Sequence, residues 1–238
     1  MSTQIRNLAI IALFLSNAHT LFAQTSWKGT TSTNWSTSSN WTAGVPTSAT
    51  DAILGDANFT GGNQPVVNSS ASCKSLTVGG TVATTLTLSK NLAVSGGVTI
   101  NANGTATQPN STLTLSGNWT NNGTYATTNN NAKIVFGGVT QTIGGSSTTA
   151  FRKITVNTGS TVTLNQNIDV SGSGSNINVY GTLNPGESPT YTVTSTVLLR
   201  VYDNGRIKVN GATFADNYIL SGTVTLSPVV KWNIPQLQ

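Results

Sequence analysis

The 238-residue sequence predicts an all-β chain: a parallel β-helix, or β-solenoid, closed at its N-terminal end by a Trp-rich cap. Two observations carry this. The first is a series of short runs in which aliphatic residues alternate with Thr or Asn: Leu76–Val78, Thr85–Leu88, Val98–Ile100, Leu113–Leu115, Ile154–Val156, Val162–Leu164, Ile177–Val179 and Val224–Leu226. Alternation turns Leu, Val and Ile to one side and Thr to the other, which is the pattern of a strand with one buried face. The second is an internal repeat in which 75–96 aligns with 153–172, Leu76 meeting Ile154, Leu86 meeting Val162, Leu92 meeting Ile168 and Val94 meeting Val170. The offset is 78 residues before the first loop and 76 after it, so a turn changed length while the inward positions were kept. A solenoid tolerates such a change.

Taken in order, residues 1–23 have the layout of a secretory signal peptide: Arg6, an apolar run Leu8–Leu15, then small residues up to Ala23. The run is far shorter than the ~20 residues of a membrane-spanning helix, and no transmembrane segment is expected elsewhere. The mature chain is therefore expected to be secreted, extracellular or on the outer cell surface. Cleavage removes His19, the only histidine, and with it the Ser-His-Asp, Cys-His and His-metal classes of site. Of the eleven Lys and Arg, Arg6 leaves as well, against six acids that all remain. A single cysteine, Cys73, forms no internal disulfide and reads as a small buried hydrophobe.

Residues 24–50 form the cap segment, and 51–238 the repeat domain. Gly pairs at 79–80, 96–97, 137–138 and 144–145 punctuate the repeat domain. Strands recur every ten to twelve residues on this reading, with about 22 residues per coil and roughly eight coils. Trp119, in the uncharged stretch GNWTNNGTY, is expected at a coil edge. The alternative fold is a pair of β-sandwich domains, which would call for longer strands, Asn-Gly hairpins and a linker.

Trp27, Trp35 and Trp41 fall within fifteen residues of one another. They read either as a plug for the open end of the solenoid or as a glycan-stacking platform. The six acids, Asp51, Asp56, Asp169, Glu187, Asp203 and Asp216, are scattered, whereas glycoside hydrolysis needs two carboxylates within about 10 Å. No catalytic residue, cofactor or metal site is assigned. The expected role is a non-catalytic surface module contacting a polysaccharide or a host or cell-surface ligand. The alternative is a carbohydrate-active β-helix, a polysaccharide lyase or hydrolase. Arg152-Lys153 and Arg200, Arg206, Lys208 are the local basic concentrations, and nucleic acid is not an expected partner.

Residues 26–54, with Trp27, Asn34-Trp35, Asn40-Trp41, Val45-Pro46-Thr47 and Asp51, resemble the opening segment of large adhesin-like bacterial surface proteins. Residues 117–172 resemble the autotransporter-like repeat that follows it, especially in Bacteroidota, which export such proteins by type IX secretion. The resemblance implies a right-handed parallel β-helix and no fixed catalytic residue. Such proteins usually run much longer and end in a sorting or anchoring domain. The chain is therefore expected to be the N-terminal part of a longer surface protein, truncated at its C-terminus.

Overall fold

A computed structural model describes residues 23–184, 193–195, 198–202, 206–207 and 218–220. The leader up to residue 22, Glu187, Asp203, Asp216, Lys208 and the alternating run Val224–Leu226 lie outside the described residues. The described chain is a parallel β-solenoid of about seven turns. Each full coil contributes one strand to each of three faces, in the order first, second, third.

The first face is a nine-stranded sheet running from Gln24–Ser26 through Asp51–Leu54, Leu76–Val78, Val98–Ile100, Trp119–Asn121, Thr140–Gly144, Thr161–Leu164 and Thr182–Asn184 to Arg206–Ile207. The third is an eight-stranded sheet from Ala71–Cys73 to Tyr218–Leu220. The second is split into a four-stranded sheet, from Val66–Val67 to Thr124–Thr127, and a three-stranded one, Thr149–Phe151, Ile168–Val170 and Val193–Ser195. All these strand pairs are parallel: Leu76 lies beside Val98, and Val98 beside Trp119. Parallel neighbours require a crossover rather than a hairpin, and here the crossover is the rest of the coil.

Alternation places the core. Thr84–Leu88 and Lys153–Val156 bury every second residue. The column Ala52, Leu76, Val98, Trp119, Ile143, Leu164 is buried throughout. Trp119 is thus not at a coil edge but fully inside it, packed edge-on against Tyr125 at 5.0 Å and tilted against Phe151 at 5.4 Å. Its strand partners orient its Cβ inward, and its indole N–H is satisfied there by Thr149 Oγ1 at 3.1 Å. Asn121 and Gln166 donate to the same hydroxyl oxygen, so the polar residues among these aliphatics form one buried knot.

The structure alters two details of the sequence reading. Three strands per coil place them about seven residues apart rather than ten to twelve. The internal repeat is also out of phase with the faces: Leu76 stands on the first face and Ile154 on the third, Leu86 on the second and Val162 on the first. The aligned strands are eleven apart in chain order, three and two-thirds coils. All three faces share one inward alternation, so a sequence match follows the alternation whichever face carries it.

Candidate binding surface

The cap is built from its tryptophans. Gln24–Ser26 pairs in parallel with Asp51–Ile53, and an antiparallel bridge joins Trp27 to Trp41. Trp41 meets Trp27 edge-on at 5.1 Å and Trp35 at 4.7 Å. Trp27 donates its indole N–H to Asn63 O at 2.8 Å and Trp41 to Trp35 O at 2.7 Å. Asn40 is buried among them; its Oδ1 accepts from the Thr31 and Ser32 amides, and its Nδ2 donates to Ser32 Oγ and Asn34 O. Trp27, Trp35 and Trp41 are 0, 1 and 2% exposed, whereas stacking on a sugar needs a ring face that solvent reaches. In this arrangement the three rings are the hydrophobic core of the first coil.

Three of the six acids are described, and each has local partners. Asp51 accepts from Ser75 Oγ at 2.7 Å and pairs with Lys74 at 3.6 Å. Asp56 accepts from Ser26 Oγ at 2.5 Å and from the Asn58 amide at 3.0 Å. Asp169 accepts from Ser171 Oγ at 3.0 Å, with its other oxygen buried. Asp169 belongs to the coil five steps beyond Asp51, about 24 Å along the axis at ~4.8 Å per coil. That exceeds the reach of a carboxylate pair acting on one glycosidic bond. Among the described residues, no group of three or more His, Cys, Asp or Glu is placed to hold a metal ion. No helix among them is long and apolar enough to cross a membrane.

Cys73 is fully buried beneath the third face. Burial pushes its thiol up to about 12, with a further contribution from the Asp51 carboxylate. The thiolate that nucleophilic chemistry needs is thus suppressed.

Among the described residues, a concave feature lies where the second face divides. Thr124–Thr127 and Thr149–Phe151 are neighbours that do not pair, and the inward rings of Tyr125 and Phe151 pack there at 5.7 Å. A cleft of about 400 Å³ opens over the division, lined by Tyr125, Ala150, Phe151, Arg152, Ser171 and Gly172 among others. Arg152 stands at the corner between the second and third faces and donates Nη1–H to Ser171 O at 2.9 Å. Around that corner Lys153 lies in register with Lys133. Further along the third face, Tyr180 and Tyr202 stack at 4.1 Å and 12°, and a hydrogen bond with Tyr202 raises the Tyr180 phenol above its ordinary value, opposed by the nearby Arg200.

The sequence pointed to Arg152-Lys153 but not to Lys133 or the tyrosine pair. Lys133 precedes Lys153 by twenty residues, close to one coil, and that spacing is the signal that could have joined them.

A family profile described as a domain of unknown function (DUF8693) matches residues 26–140, from the cap through the first coils. No curated protein and no solved structure shows significant similarity to the chain.

Proposed function

We propose that this chain is a non-catalytic extracellular surface module, adhesin-like in role, that contacts glycans or cell-surface ligands along the flanks of a rigid solenoid. The observation that carries the reading is the outward side of the coils. Thr77, Thr99 and Thr120 form one rank on the first face, and Thr85, Thr105 and Thr124 another on the second. Such ranks offer many weak, repeated hydrogen-bonding positions on a backbone already held by its ladders, a surface suited to an extended polar partner. The local partners of Asp51, Asp56 and Asp169 support a structural role for those carboxylates. The leader-like first 23 residues support export, and the resemblance to Bacteroidota surface proteins supports attachment to a larger surface assembly.

The test is a glycan array probed with the exported chain, run beside a reducing-end and unsaturated-sugar assay on the bound polysaccharides. Retention without product formation is expected. Product formation lost on changing Asp51, Asp56 or Asp169 would replace this reading with a carbohydrate-active enzyme. Surface exposure is checked by protease shaving of intact cells.

A further inference from the structure

We propose that the corner formed by Arg152, Lys153 and Lys133 binds an acidic polysaccharide. One anionic sugar would sit in the cleft with its charged group on Arg152, and neighbouring anionic groups would lie on Lys153 and Lys133. This rests on the surface-module reading above and names the ligand class of that module.

The guanidinium is held before any ligand arrives. Its Nη1 is fixed on Ser171 O, and the next residue, Gly172, has φ +96°. A Cβ at Gly172 would lie 1.8 Å from that same nitrogen, so Arg152 occupies space that only glycine leaves free. One of five N–H donors is used in holding the group, and the planar fork suits a carboxylate or sulfate. Lys153 Nζ donates to Asn131 Oδ1 at 3.3 Å, a neutral partner that leaves its charge uncompensated. Lys133 stands one coil away, and parallel register holds two like charges side by side. That arrangement disfavours the isolated protein and favours a polyanion. Among the described residues, Asp169, in register with Ala150, is a carboxylate near the cleft; one oxygen accepts from Ser171 Oγ and the other is buried without a hydrogen-bond partner, turned away from solvent. Tyr125 and Phe151 are core rings beneath the cleft floor rather than exposed faces, so recognition rests on the polar groups at its rim, and its volume of about 400 Å³ is in the range of small-ligand sites. Cleft and adjoining cations together fit a chain of sugars carrying carboxylate or sulfate.

The experiment is affinity electrophoresis of the exported chain in gels containing polygalacturonate, dextran sulfate or neutral dextran, with duplex DNA as a competitor. Retardation by polygalacturonate, dextran sulfate or both is expected, and the responding gel identifies the anion. Arg152→Gln should weaken retardation about tenfold. The double variant Lys133→Gln/Lys153→Gln should weaken it similarly. Gly172→Ala leaves the charge unchanged but displaces the guanidinium, and is expected to weaken it too. Circular dichroism of each variant should match the parent. Retardation by neither polyanion, or retardation indifferent to all three variants, overturns the proposal. Displacement by duplex DNA at equal charge overturns the assignment to polysaccharide. Retention of neutral glycans alone would leave the surface module standing and remove this inference, whereas cleavage of a bound polysaccharide would remove the surface-module reading itself.

Discussion

At the scale of single residues, burial decides what each notable side chain does. Trp41 touches both other cap tryptophans and anchors its N–H on Trp35 O, so Trp41→Ala removes ring contacts and a hydrogen bond together. A loss of about 3–5 kcal/mol is expected from a buried aromatic truncation, measured as a lower urea midpoint. An unchanged midpoint would contradict the cap packing. Cys73 makes a second prediction. Its folded value of about 12 lies above the ordinary 9.0, so the fold favours the neutral thiol. This contribution is complete below pH 9 and is lost as pH rises from 9 towards about 12. The slope of stability against pH in that window should flatten in Cys73→Ala. The native thiol should also resist a disulfide reagent at pH 8 and react once urea unfolds the chain; fast native labelling would contradict its burial.

At the scale of the strand and its corner, coils are tied by side chains as well as by ladders. Asn91, Asn118 and Asn122 each accept, through Oδ1, a backbone N–H of the next coil at 2.9 Å, from Thr112, Thr142 and Ser146. Asn101 donates to Gly79 O of the preceding coil at 2.6 Å. Asparagine is frequent at these corners because a short amide reaches one strand spacing and satisfies groups that the turn leaves unpaired. Gly145 marks a corner that admits no other residue: its φ is +122°, and a Cβ would lie 2.1 Å from Asn121 O. Gly145→Ala should therefore cost more than Asn118→Ala, about 1–3 kcal/mol against about 1 kcal/mol. Equilibrium urea unfolding of the two variants checks the order, and equal midpoints would show that the corner relaxes.

For the molecule as a whole, stability is a sum over coils and the contacts between neighbours. Residues 76–97 are one complete coil, because Leu76 stands beside Val98 and the next coil begins there. Their excision brings Leu54 against Ile100 and leaves the cap and the later coils intact in design. The shortened chain is expected to keep a β-type far-ultraviolet spectrum with a lower melting temperature. Collapse to a disordered spectrum would show that the coils are not interchangeable units.

Alternation specified the strands and the identity of most inward residues, because a period of two sorts side chains irrespective of what lies above or below, and short strands with an internal repeat added the solenoid and a coil near 22 residues. The tryptophan cluster likewise marked the cap. What alternation does not encode is which face a strand joins: Leu76 and Ile154 have the same local pattern and stand on different faces. Trp119 shows the same limit, since its polar neighbours suggested an edge while register placed it in the core. Three coil strands per turn, the division of the second face and the alignment of Lys133 with Lys153 all depend on loop lengths accumulated over many residues. The cleft and its basic corner therefore came from the tertiary structure, where the second face divides between Thr124–Thr127 and Thr149–Phe151 beside an arginine packed against a glycine.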